Sequence, residues 1–505
     1  MSGSISFPRI PAGTQLRTPG FYVDFDNSQA QYGAPQTRAL LIGQSVSSVS
    51  NVATWAQSAA QVAALCGPSS QIADMASALF ANIGSLKVDI LPFADNGSGT
   101  AATGSLAFSG TTTAAGTVPL YIADIPIPVT LPSGTTATAA ATAVAAAINA
   151  SPISPVGASA STGTVTLTAD HKGTIGNGID VRMAYYGLQG GESMPAGLAC
   201  SITAMASGAG DPTMTGISSI IADDPYDFII APLATTAVLN ITQSLMDEAT
   251  GRWAYNRQIF GHVFAGLVDA SATPATSSGA LVTAGTARND QHASLIGLGA
   301  APAPAWRIAA GAVGAAATSL RDTPSRPLQT LRILAPADRG IRAPQPGSRF
   351  SQATRNTLLS SGISTLVATS DNALAIEDLV TTYQLNPQGL ADLSYAEVPT
   401  MFTLMAVTRR LRAAVLALGG GRAVLVPDGS PVPFGSFAVT PKIARAAMHQ
   451  EFLNMQRDLL VTDEASFLAN LVCQIDTANP ARLNILFPPT IVKGLKTFAA
   501  LNQFR

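Results

Sequence analysis

The chain has 505 residues, more than one ordinary hydrophobic core can use, so several domains are expected. Its 28 basic and 30 acidic side chains leave a formal net charge of −2, which excludes a global field that would gather nucleic acid or an anionic membrane. Charged residues make up only 11% of the chain, and so little charge does not hold molecules apart, a property that suits a subunit of an assembly.

The opening MSGSISFPRIPAG lacks a basic region followed by an apolar run, so no secretory signal is expected and the chain reads as made and folded in a cytoplasm. The first readable element is TPGFYVDFDNSQA, where Phe21, Val23 and Phe25 alternate with Tyr22, Asp24 and Asp26. That is the period of a half-buried strand, yet no Asn-Gly or Asp-Gly turn follows to supply a hairpin mate. TRALLIGQS predicts a buried strand from Ala39 to Gly43. SNVATWAQSAAQVAALCG predicts a helix ended by Gly67-Pro68, SSQIADMASALFANIG a second ending at Gly84, and LKVDILPF another strand. This order implies an α/β layer.

The text then changes. From Asn96 to Ala169 the only charged side chain is Asp124, and Thr- and Gly-rich strand-and-turn segments surround one helix ending near Asn149. An inserted, mostly β domain is expected at 96–208. The α/β pattern resumes with a strand in YDFIIAPL, a helix over ATTAVLNITQSLMDEATGRWAYN, strands in RQIFGHVFAG and RNDQHASLIG, and a small-residue helix in PAWRIAAGAVGAAATSL that is expected to be sandwiched. That last region carries Pro302, Pro304 and Arg307 and does not qualify as a membrane span. Further on, SQATRNTLLSSGIST predicts a helix stopped at Gly362, and TLVATSDNALAIEDLVTTYQ a strand hairpin turning at Asp371-Asn372. Long helices are expected in TMFTLMAVTRRLRAAVLALGGG and TPKIARAAMHQEFLNMQRDLL. A strand from Leu483 to Phe487, a Pro488-Pro489 break and a second extended stretch complete the chain, which stays apolar to its last residues.

No catalytic, metal or cofactor site is expected. His171, His262, His292 and His449 have no second His or Cys at metal spacing, and Cys66, Cys200 and Cys473 are scattered. The glycine-rich stretches lack dinucleotide or phosphate-loop spacing. Arg409, Arg410 and Arg412 form the densest basic cluster, read first as a solvated face or ion-pair site, with a phosphate site as the alternative. For the two apolar ends, pairing within the chain and pairing with a neighbouring copy both stand.

RTPGFYVDFDNSQAQYGAPQTRALLIGQ resembles the start of contractile tail sheath proteins of the phage Mu-like branch. GTIGNGIDVRM, YDFIIAPL with DEATGRWAYNRQIFGHVF, RNDQHASLIGLGAAPAPAWRIAAGAVGAAA with RPLQTLRI, and ANPARLNILFPPTIVKGLKTFAALNQFR resemble later parts of that family in the same order. The resemblance implies an α+β fold with a mixed α/β core. It implies an N-terminal arm at 1–30, core parts at 31–95 and 209–346, the insertion at 96–208 facing outward, an inner region at 347–487, and a C-terminal arm at 488–505. It implies a helical homopolymer of stacked rings, with the tail tube, baseplate and tail terminator proteins as partners, assembled in the host cytoplasm and residing in the virion tail. Contraction would drive the tube through the host envelope. The intersubunit arms fall on Phe21, Tyr22, Val23, Asp24, Phe25 and Asp26, and on Leu495, Thr497, Phe498, Ala499, Leu501 and Phe504. Arg409, Arg412, Arg445 and Arg457 are candidates to face the tube, against pairing within their own helices. Other readings are the sheath of a headless tail-like particle or secretion-type injector, a non-contractile adhesion subunit binding glycans, and a hydrolase built near His171 or His262.

Overall fold

ALLIG within RALLIGQ is apolar without alternation, the mark of a strand covered on both faces, and KVDILPF is alike except for the buried Asp89. In the computed structural model, which describes residues 37–48, 51–269, 279–433 and 437–503, Arg38–Gln44 and Lys87–Phe93 lie parallel in a nine-stranded sheet. Phe228–Ile230, His262–Val268, Ala293–Leu298 and Ile363–Ala368 continue the parallel run on the other side of Arg38–Gln44. Antiparallel strands close both edges, Thr54–Ala56 at one and Leu374–Asp378 with Arg332–Ile333 at the other.

Helices cover both faces. Ala39 and Leu41 pack with the helices Gln71–Phe80 and Ala305–Asp322, whereas Leu40 and Ile42 pack with Ile217–Ile221, Thr236–Met246 and Ala280–Thr286. The small residues of Ala305–Asp322 are needed for close approach, as the sequence suggests. A Cβ on Gly314 would lie 2.8 Å from the Asn82 Cβ and 3.0 Å from the Leu79 carbonyl oxygen.

The chain leaves this sheet after Phe93 and rejoins it at Phe228. In between, Leu198–Ala206, Ala101–Gly110, Thr164–Lys172 and Val156–Ser161 form an antiparallel sheet, and Ile125–Leu131, Gly116–Ile122 and Val181–Met183 form a second. The helix Ala137–Ala150 buries Ala140, Ala141, Val144 and Ile148 with them, and its N-terminus is capped by the Thr136 side chain, which accepts from the Ala139 N–H.

After the hairpin, whose turn places Asn372 at φ 61°, the helix Val398–Ala417 joins two cores. Val398, Phe402 and Met405 belong to the central core, and Phe402 stacks on Phe228 with ring centroids 4.9 Å apart. Val407 belongs to a separate cluster with Met448, Phe452, Met455 and Phe467, built largely by the helix Pro441–Arg457.

Two helices are shorter than their patterns suggest. The first begins only at Ala59, capped by Ser58, because Thr54 and Trp55, β-branched and aromatic, form the edge strand instead. The helix expected over 234–256 stops at Met246, where the Asp247 carboxylate accepts from the N–H groups of Ala249 at 2.9 Å and Thr250 at 2.7 Å and turns the chain.

His262 is fully buried beneath the long helix, with Nε2 2.8 Å from Ser294 Oγ and the ring packed against Phe264 and Phe402. Burial, with a smaller contribution from His292, pushes its pKa down to about 3. Below its ordinary value the unfolded chain takes up a proton that the folded chain refuses, so stability falls as pH drops from near 6.5 toward 3. Urea unfolding should therefore show His262→Gln losing less stability than the native chain between pH 6.5 and 4.5, by up to ~1.4 kcal/mol per pH unit; parallel pH profiles would refute this.

Candidate functional site

The apolar end of the chain is half anchored and half presented. Thr490–Ile491 pairs with Val461–Thr462, and the Val492 N–H donates to the Leu460 carbonyl at 3.1 Å. From Lys493 to Gln503 the described residues form no strand. Lys493 Nζ lies 3.1 Å from Thr400 Oγ1, and the Leu495 carbonyl accepts from Gln329 Nε2 at 3.4 Å. Lys496 Nζ donates to both carboxylate oxygens of Asp378, at 2.8 and 2.7 Å, and pairs with Glu397 at 3.1 Å. Beyond it Thr497 and Ala499 are exposed, and Leu495, Phe498 and Leu501 are 61%, 82% and 85% exposed. Covering one such large apolar side chain is worth ~1.5–3 kcal/mol. Phe21, Tyr22, Val23, Asp24, Phe25 and Asp26 lie outside the described residues, as does Phe504.

A second exposed apolar feature lies earlier in the same C-terminal region. Val472–Ile475 and Leu483–Leu486 form an antiparallel two-stranded ribbon, so among the described residues each strand keeps one edge without a strand partner. Cys473 and Ile485 pack on the C-terminal cluster, whereas Val472 and Leu486, directly opposite each other, stand exposed. Ribbons of this size are marginal alone and gain from added strands.

The four arginines divide. Arg409 pairs with the buried Asp227 at 2.5 Å, which roots the long helix on the central sheet. Arg445 is exposed and donates to the Leu468 carbonyl at 2.8 Å. Arg412 and Arg457 are exposed on the two long helices. Their neighbour Arg410 braces those helices together through Glu451, at 2.9 Å, and Asp458.

The insertion is fastened to the core by a buried joint that the sequence reading did not assign. Asp74 accepts from Trp306 Nε1, Arg307 Nε and Arg339 Nη1, each at 2.8 Å. Arg307 Nη1 reaches onward to the Ala123 carbonyl at 2.6 Å and the Gly340 carbonyl at 3.0 Å. Asp124, 0% exposed, accepts from Arg342 Nη1 at 2.8 Å and the Arg342 N–H at 2.9 Å, while its own carbonyl accepts from the Gly340 N–H at 2.9 Å. The Arg342 guanidinium lies over the rings of Tyr121, Tyr185 and Tyr186, at 5.0, 5.6 and 5.2 Å. A Cβ on Gly340 would sit 2.2 Å from Asp124 Oδ2, so only glycine fits there. Burial pushes the Asp124 carboxyl up and Arg342 only partly offsets it; burial acts the same way on Asp74, but Arg307 and Arg339 outweigh it and hold that carboxyl below its usual range. The signal for this joint was a lone Asp in an otherwise uncharged segment.

His171 belongs to the same seam. Its Nδ1 is 2.8 Å from Asp95 and its Nε2 accepts from the Gln71 N–H at 3.0 Å, beside a cavity of about 20 Å³ that has room for about one water. Among the described residues no cluster of three or more His, Cys, Asp or Glu is arranged to hold a metal, and no helix is long and apolar enough to cross a membrane.

Comparison with known proteins gives the following. The family profile described as the phage tail sheath protein central domain matches residues 207–382. The chain is 33% identical over 506 residues to the Mu-like prophage FluMu tail sheath protein of Haemophilus influenzae, covering 99% of each. Among solved structures, a sheath tail protein from Desulfitobacterium hafniense aligns with TM-score 0.46 at 12% identity, over 94% of this chain and 97% of that one. One from Listeria innocua aligns with TM-score 0.46 at 11% identity, over 91% and 93%.

Asp124→Ala should cost ~1.5–3 kcal/mol, because it removes the charged acceptor of the partly exposed Arg342 guanidinium and of the Arg342 N–H. Limited proteolysis should then cut near 94–100 and 207–216, and the pair Asp124→Leu with Arg342→Met should restore most of the resistance. A single variant as stable and uncut as the native chain would contradict the joint.

Proposed function

The chain belongs to the phage tail sheath family, in its Mu-like branch, a family of structural proteins rather than enzymes, and on that premise we propose that it lends both of its ends to neighbouring copies in a contractile sheath. The observation that carries this reading is the tail, which is held on its own body as far as Lys496 and then exposes Phe498 and Leu501. Strand addition to an exposed edge is a general recognition mode in which main-chain hydrogen bonds supply affinity and alternate side chains supply specificity. The ribbon of Val472–Ile475 and Leu483–Leu486 offers such edges, with Val472 and Leu486 as apolar contacts. The alternating segment Phe21 to Asp26 supplies the second strand. An end that pairs with an unlike surface on the next copy makes a contact that propagates instead of closing, as a helical tube requires.

In this reading the polymer surrounds a tail tube and ends on baseplate and terminator proteins, with assembly in the host cytoplasm and residence in the virion tail. Contraction rotates and re-packs the bodies as rigid units while the shared strands keep them linked, and it drives the tube through the host envelope. The insertion at 96–208 faces outward, and the region at 347–487 faces inward. Arg412, Arg445 and Arg457 are exposed cations on that inner region and the ones proposed to meet the tube; Arg409 also lies there, with its charge already matched by Asp227.

Removal of residues 495–505 tests the arm. The truncated chain should keep its circular dichroism spectrum and a cooperative melting transition, lowered by the loss of the Lys496 ion pairs, and form no cylinders in negative-stain micrographs. Cylinders of normal length from the truncated chain would overturn the reading. Charge reversal at Arg412 and Arg457 together should leave self-assembly intact and weaken co-assembly with tube; unchanged co-sedimentation with tube would remove these two residues from that surface.

A further inference from the structure

We infer that the exchanged part of the C-terminal tail begins after Lys496, and that Lys496 is a fixed anchor that stays on its own subunit in the assembled polymer. The inference rests on the arm reading above and sharpens it, since the family resemblance places the intersubunit residues of the arm from Leu495 onward.

Four consecutive residues are engaged with the body. Lys493 reaches Thr400. A Cβ on Gly494 would come within 2.5 Å of Pro327 Cγ, so the backbone there presses on the 325–327 turn in a way only glycine permits. The Leu495 carbonyl takes a hydrogen bond from Gln329 even though its side chain is exposed. Lys496 then ends the sequence of contacts with the strongest one, a single ammonium held between two carboxylates from different elements. Asp378 ends the strand Leu374–Asp378 beside the sheet edge, and Glu397 is the N-cap of the helix Val398–Ala417, where the helix dipole favours its negative charge. All three side chains are largely shielded from water, with relative exposures of 22%, 20% and 29%. Burial pushes the Asp378 carboxyl up, Lys496 opposes that, and Glu397 adds to it. If the tail withdrew, the two carboxylates would face each other without a cation. Displacing Lys496 therefore carries a penalty that displacing Thr497, Phe498 or Leu501 does not, and the boundary between fixed and exchangeable chain falls between 496 and 497.

The position also decides where a pull on the arm is felt. Tension enters at the sheet edge and the N-terminus of the long helix together, not at the two-residue pairing of Thr490–Ile491.

Polymer assembled from a mixture of nitrogen-14 and nitrogen-15 chains, treated with a zero-length carbodiimide and analysed by peptide mass spectrometry, tests the anchor on the native sequence. Links from Lys496 to Asp378 or Glu397 are expected within single chains, equally in polymer and in dissociated subunits. Mixed-isotope links, or links present in subunits and lost in polymer, would overturn the inference. Lys496→Gln should shift the unfolding equilibrium of the dissociated subunit roughly three- to tenfold in favour of the unfolded chain, as loss of one shielded ion-pair network implies; an unchanged unfolding equilibrium would also count against it. Failure is separable from failure of the arm reading. If removal of 497–505 leaves assembly intact, the arm reading falls whatever the links show; if that removal abolishes assembly while mixed-isotope links appear, only the anchor falls.

Discussion

Arg307 is the residue on which the rest of the body depends. It is 1% exposed, and one guanidinium serves three parts of the chain: the Asp74 carboxylate on a core helix, the Ala123 carbonyl at a turn of the insertion, and the Gly340 carbonyl of the connector. A buried cation is tolerated only when paired and hydrogen-bonded on all sides. Each of the three parts is therefore a condition for the other two. Asp124 with Arg342 repeats the arrangement beside it, and the Arg342 guanidinium lies over three tyrosine rings of the insertion. The insertion and the central sheet are thus pinned at one place by a network with little tolerance for partial formation.

This explains a division of labour in the molecule. Specific, directional interactions lie inside the body, at its seams and at the roots of the long helix. Apolar side chains of the tail and the ribbon, by contrast, are displayed to solvent. In the sheath reading proposed above, a body held by such seams and a tail that stays on the surface are complementary, since rigid bodies can then change their relative positions.

Much of the central sheet was legible. Ala39–Gly43 read as a buried strand because nothing polar interrupts it, Lys87–Phe93 and Ala293–Leu298 read as strands although each buries a polar residue, Asp89 and Ser294, and the hairpin at Asp371-Asn372 followed from turn chemistry. The helix Ala305–Asp322 was recognised as sandwiched because its residues are small. Helix lengths were less legible: at Asp247 a local side-chain turn ends a helix that the apolar spacing would continue, and at Thr54 the sheet edge claims residues of weak helix preference. The joint was invisible as a joint. Nothing in the local sequence around Asp74, Asp124, Arg307 or Arg342 says that residues so far apart meet, because long-range pairing of charges leaves no periodicity. The same holds for Arg409, which sequence presents as one of three neighbouring arginines and structure pairs with Asp227, 182 residues away by subtraction of the two positions. The tail's apolar character was plain in the sequence; that it is tethered at Lys496 was not.

The helix Val398–Ala417 has its first half in one hydrophobic cluster and its second half in another. Its 20 residues make a rod of ~30 Å. Phe402 in its first half stacks on Phe228 of the central sheet, and Val407 and Arg410 near its middle pack on and pair with the C-terminal cluster and the helix Pro441–Arg457. A load on the C-terminal cluster therefore meets the central sheet through one unbroken backbone and not through a loop.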